Sequence, residues 1–145
     1  MPESTTLLRS LVQTTIDSAE GYDRAAEHAK APELKRVLRD AAAKRRQLVA
    51  DLNAELVRLG GERQERGSTS GAAHRIWTRI STAFKDQDEA AAERVEEGED
   101  YIEKKFREAL DRKDWEPATL RVLQRAHAQV KEGERLTDRL EDRYD

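Results

Sequence analysis

Along most of this chain, apolar side chains return every three or four residues, and few helix-breaking residues interrupt them. Leu34, Leu38, Ala41, Leu48, Leu52, Leu56 and Leu59 fall on one such seam, with Arg45 in the middle of it. This spacing puts the apolar groups on one helix face, which is buried when helices pack against one another. With three prolines, seven glycines and no long β-branched run, the chain is expected to be all-α.

The first predicted helix covers about residues 5–30, with Leu8, Leu11, Val12, Thr15, Ala19, Tyr22, Ala26 and Ala29 inward. Pro32 ends it and suits the first turn of a second helix over about 33–59. Gly60-Gly61 is a C-cap signal. Residues 61–71 are polar and glycine-containing, and read as a loop or linker. Ala73, Ile76, Trp77, Ile80 and Phe84 then describe a short amphipathic helix over about 72–85. Asp86 with Glu89 reads as a capping box opening a helix over about 87–113. Its inward stripe is Ala91, Val95, Gly98, Ile102, Phe106 and Ala109 or Leu110. After a turn at Asp114 to Pro117, a last helix over about 117–144 carries Leu120, Leu123, Ala126, Val130, Gly133, Leu136 or Thr137, Leu140 and Tyr144.

The 145 residues suit one domain spanning 1–145. Charged residues reach 39%, yet the striped apolar pattern argues against disorder. A net charge of −3 gives no basic surface overall, so nucleic acid is not an expected partner. The absence of cysteine removes disulfides, thiolate metal sites and a cysteine nucleophile. Met1-Pro2-Glu3-Ser4 lacks a basic region followed by an apolar core, and no apolar run reaches bilayer length. A cytoplasmic location is therefore expected, and a membrane partner is not. His28, His74 and His127 are dispersed, with no spacing that specifies a catalytic triad.

The long helices also carry a repeat. Glu20-Gly21-Tyr22 recurs as Glu99-Asp100-Tyr101, and Arg36-Val37-Leu38 as Arg121-Val122-Leu123. Two helical hairpins joined by one long crossing segment predict a ferritin-like four-helix bundle, with the short helix in the crossover. The stretch Glu20 to Leu52, the crossover Gly71-x-x-His74-Arg75-x-Trp77, and Glu97-Gly98-Glu99-Asp100 together resemble a bacterial ferritin-like family of uncharacterised function. That family is related in fold to rubrerythrin and ferritin, and its di-iron motif is incomplete. The resemblance covers nearly the whole chain and implies the fold, but no settled activity.

A di-iron bundle would present Glu-x-x-His on its second and fourth long helices. Here the second offers Arg45, and the fourth offers Gln124 and His127. Glu20, Glu99, Asp17 and Glu96 are carboxylates suited to iron or manganese, or simply solvated acids. A buried guanidinium needs an anionic partner, so Arg45 is expected to pair with Glu20, Asp17, Glu96 or Glu99. Snorkelling along the bundle edge is its alternative. Glu20, Glu99, Glu103, His127 and Glu134 form a weaker candidate set for one metal ion, against an ordinary half-buried histidine. Gly21, Gly98 and Gly133, costly inside helices, are expected to make room for a bulky neighbour.

Ile76, Trp77, Ile80 and Phe84 are a candidate interaction surface for a membrane or partner helix, unless the crossover helix docks on its own bundle. The sequence reading therefore leads to a non-enzymatic structural or interaction protein, with a stress association suggested by the resemblance. A homo-oligomer, with a dimer favoured, and no cofactor are expected. The alternatives are an iron- or manganese-binding degenerate oxidase or peroxidase, and a surface binder using the crossover.

Overall fold

The computed structural model describes the backbone of residues 2–112 and 114–144, and the side chains of residues 4–89, 91–112 and 114–133. Among these residues all regular structure is helical: α1 (Pro2–His28), α2 (Pro32–Arg58), α3 (Gly71–Asp86), α4 (Asp88–Leu110) and α5 (Pro117–Tyr144). The four long helices touch in the ring order α1, α2, α5, α4, and α3 lies across α1 and α4. The diagonal pairs, α1 with α5 and α2 with α4, have no close backbone approach among the described residues. Nor, among them, is any helix long and apolar enough to cross a membrane.

The apolar stripes bury into two clusters. One gathers Tyr22, Leu38, Trp77, Ile80, Phe84 and Val95 from α1 to α4. The other gathers Leu8, Val12, Leu52, Ile102, Phe106 and Leu123, together with Trp115 of the α4–α5 turn. On α2, Arg45 separates the two between Ala42 and Leu48, and on α4 Glu99 separates them between Val95 and Ile102. The inward positions Leu136, Thr137, Leu140 and Tyr144 lie outside the described side chains.

Helix ends differ from the periodicity in explicable ways. α1 stops at His28 because the next amides are taken elsewhere: Lys30 and Ala31 N–H donate to the Asp88 carboxylate at 2.9–3.1 Å. Ala31 is extended before Pro32, as a residue preceding proline prefers. The expected Asp86–Glu89 capping box does not form. Asp86 closes α3, Gln87 stands at the start of α4 without a side-chain cap, and Asp88 fastens the α1–α2 turn instead. α4 ends at Leu110, short of the expected residue 113, and the Trp115 indole N–H folds back onto the Ala109 carbonyl at 2.8 Å. α2 closes where predicted: Gly60 takes φ +90°, and Gly61 N–H donates to the Leu56 carbonyl at 2.9 Å.

The segment 61–70, expected as a loop or linker, is strapped to the helices. Asn53 exchanges two hydrogen bonds with the Gln64 backbone at 2.8 and 2.9 Å. Gln13 reaches the Gln64 side chain at 2.9 Å. The Asp17 carboxylate accepts both the backbone N–H and the hydroxyl of Ser68. Ser70 then caps α3 through the Ala73 N–H at 3.3 Å and meets the Tyr101 hydroxyl at 3.2 Å.

This strapping delivers α3 face-down, which corrects the interaction-surface candidates. Trp77, Ile80 and Phe84 are buried, and Ile76 is half-buried against the same cluster. They face α1 and α4, not a free partner. The Trp77 indole sits between Gly21 of α1 and Gly98 of α4, where a Cβ at either glycine would collide with its ring. The Tyr22 ring lies 5.1 Å from it, tilted by 59°. Truncating Trp77 to alanine is expected to cost about 3–5 kcal/mol in urea unfolding. Gly21→Ala should cost clearly less in the Trp77→Ala background than in the wild type, because the collision is then gone. Additive costs in that double-mutant cycle would contradict the lock.

Candidate functional site

All four long helices contribute to one buried polar layer. Glu99 of α4 has no exposed surface, and Arg45 of α2 is 5% exposed. Arg45 Nη2 donates to Glu99 Oε2 at 2.6 Å, so the pair spans the α2–α4 diagonal that the backbones leave open. The Tyr22 hydroxyl of α1 donates to the other oxygen, Oε1. Arg45 Nη1 also reaches Ser18 Oγ at 3.4 Å, and the guanidinium carbon lies 6.0 Å from the Tyr22 ring centre. On the α5 side Gly133 closes the layer, since a Cβ there would overlap both Arg45 Nη2 and the Glu99 carboxylate. Burial, and then the adjacent Glu99 charge, push the Tyr22 phenol well above its ordinary range.

The four expected partners of Arg45 separate. Glu99 is the one joined to it. Glu20 is exposed and lies 3.9 Å from Arg24, one turn along α1. Glu96 is exposed on α4. Asp17 is buried, but its carboxylate is spent on Ser68 of the crossover. Burial raises the Asp17 carboxyl above the usual aspartate value, against the opposing pull of the Ser68 hydrogen bonds. Glu20, Asp17 and Glu96 are therefore outside the network, because each has solvent or a closer donor.

The metal candidates disperse similarly. Among the described residues no group of three or more His, Asp or Glu side chains is placed to hold a metal ion. The Glu99 centre does not suit a divalent cation, because a guanidinium already puts fixed positive charge against one of its oxygens. Glu103 and His127 do meet, with His127 Nε2 3.1 Å from Glu103 Oε1, and Arg107 stands 3.5 Å from the other oxygen. Glu134 lies outside the described side chains.

The family described as "Domain of unknown function (DUF2383)" matches residues 3–112, a span holding Tyr22, Arg45 and Glu99. The chain belongs to that family. No curated protein and no solved structure matches it. Gly133, which closes the layer in this member of the family, comes from α5 beyond the matched span.

Other features escape a reading by composition and spacing. The repeat register is one. The sequence match sets Glu20 against Glu99, yet Gly21 and Gly98 share Trp77, which sets Tyr22 against Glu99. Glu55 of α2 is another: it is 6% exposed and accepts both Arg58 Nε and Nη2 at 2.7 Å and Thr119 Oγ1 of α5 at 2.5 Å. These hydrogen bonds, that from Arg58 first, hold its carboxyl below the ordinary range. Glu55 and Arg58 are an i,i+3 pair beside buried Leu56, but no sequence signal marks Thr119 as their partner.

Arg45→Met leaves the Glu99 carboxylate buried without its cation, and should cost about 3–5 kcal/mol in denaturant unfolding. Adding Glu99→Gln, which removes the stranded charge and keeps an acceptor for Tyr22, should recover much of that loss. A loss from Arg45→Met below about 1 kcal/mol would contradict the pairing. Tyr22 gives a second test. Its proton is held in the folded state and released in the unfolded chain, so stability falls as pH rises above about 10. Absorbance titration should therefore show one tyrosine ionising together with alkaline unfolding, and Tyr22→Phe should remove that component.

Proposed function

We propose that this chain is a ferritin-like four-helix bundle acting as a non-enzymatic structural or interaction protein, in which an internal ion pair takes the central position that a metal centre holds in metal-loaded bundles of that fold. The ring order of the long helices and the α3 crossover support the topology. The observation that carries the functional reading is the engagement of fully buried Glu99: the Arg45 cation holds one oxygen and the Tyr22 hydroxyl the other. With both oxygens engaged and no exposed surface, this carboxylate offers a metal ion or a substrate no open approach. A stress-associated role as a homodimer is in keeping with the resemblance to ferritin-like proteins.

One observation favours a second reading. The Glu103–His127 contact could give two ligands to a single iron or manganese ion at the α4–α5 seam. Elemental analysis separates the two. Protein produced with added iron and manganese should carry less than about 0.1 metal per chain, and neither Fe²⁺ nor Mn²⁺ should raise its melting temperature, since a ligand confined to the native state must stabilise it. Stoichiometric metal that is lost in His127→Ala would overturn the proposal in favour of the second reading.

A further inference from the structure

α2 and α5 leave a groove between them. Two adjoining clefts of about 630 and 390 Å³ run along it and share Glu55, Val122 and Arg125. Half-buried Val122 and the buried Leu48, Leu52 and Ala126 beneath it supply its apolar lining. On the α5 side, Arg121 and Arg125 stand without an ion-pair partner among the described residues. On the α2 side, Asp51 accepts the Gln47 amide at 3.2 Å and makes no ion pair among the described residues, although Arg58 and Arg125 line the same cleft. Val57, one turn beyond Ala54 on α2, is the large apolar side chain left exposed among the described residues, at 53%.

We propose that the occupant of this groove is a second copy of the chain, the two α2–α5 faces meeting about a two-fold axis parallel to the helices. This rests on the homodimer part of the proposed function, and it assigns the surface. The charges support a self-complementary contact. Arg45 lies against Gly133, and Glu55 bonds Thr119, so α2 and α5 run antiparallel. Asp51, between 45 and 55, therefore stands at the height of Arg125, between 119 and 133. A two-fold axis along the helices keeps that height and sets α2 of one copy over α5 of the other. Asp51 of each copy then faces Arg125 of its partner, at two symmetric places flanking the apolar lining. An acidic rim partner is what Arg125 lacks among the described residues, and the second copy brings one at the right level.

Sedimentation equilibrium of the full chain over about 1–100 μM tests this, a range that brackets micromolar association. The wild type should reach twice the 16.6 kDa chain mass. Asp51→Arg and Arg125→Asp should each weaken dimerisation by at least about tenfold, and the double variant should restore it, because the reversed charges again face each other. Circular dichroism should show unchanged helicity in all three, as both side chains are exposed. A wild type that stays monomeric overturns the homodimer and the surface together. A dimer indifferent to either reversal, or not restored by the double variant, overturns the surface alone. Neither result touches the metal analysis of the Glu99 centre, so the two proposals fail separately.

Discussion

Removing a carboxylate from water costs several kcal/mol unless a cation and hydrogen bonds replace its hydration. Glu99 meets that requirement with Arg45 and Tyr22, one on each oxygen. The consequence is geometric before it is energetic. α2 and α4 stand on a diagonal and make no close backbone approach, so the ion pair is the polar contact that ties their heights together. Sliding either helix by one turn would move the charge about 5.4 Å into an apolar cluster. Apolar side chains alone tolerate such slips far better, since hydrophobic contact is non-directional. The two core clusters, one on each side of the pair, follow from this fixed layer.

Glycine supplies the room that the layer and the lock require. Gly133 lets the α5 backbone close over Arg45 and Glu99, and Gly21 and Gly98 receive the Trp77 indole from two sides. Each costs about 1 kcal/mol of helix propensity relative to alanine. The cost is offset by burial of an aromatic ring in one case and by exclusion of water from an ion pair in the other. Because Tyr22 touches both Trp77 and Glu99, the lock of α3 and the charged layer are parts of one continuous arrangement.

How much of this the sequence discloses depends on the range of the interaction. Helix identity is local, and the stripes on α2 and on α5 as far as Gly133 are legible to within a residue or two. The burial of Arg45 was legible as well, because an arginine on a leucine seam has few places to go. Its partner was not. Glu20, Asp17, Glu96 and Glu99 are equivalent by spacing, and the choice is made by helix rotation and by competing donors. Ser68 claims Asp17 and solvent claims Glu20, and neither event leaves a trace in periodicity. The same limit explains Asp88: its role at the α1–α2 turn depends on a residue 58 positions away. The repeat misled for a related reason, since matching letters aligned Glu20 with Glu99 while the indole aligned Gly21 with Gly98.

Three of the four carboxylates buried among the described residues show what the surroundings of an acid decide. Glu99 has a cation and a hydroxyl in the dry centre, and Glu55 has a bidentate arginine near the rim. Asp17 takes its hydrogen bonds, among the described residues, from the neutral donors of Ser68, and burial outweighs these and the nearby His74 to raise its carboxyl, while Arg58 lowers that of Glu55. Protonation therefore bears most directly on the Asp17 anchor of the crossover. A raised aspartate carboxyl favours the protonated folded state, so this group's contribution to stability grows as pH falls from above its folded pKa toward the ordinary aspartate value. Glu55 acts in the opposite sense, its contribution being lost as pH falls through its lowered pKa. The two groups thus contribute to stability with opposite dependence on acid, that of Asp17 growing and that of Glu55 being lost as pH falls.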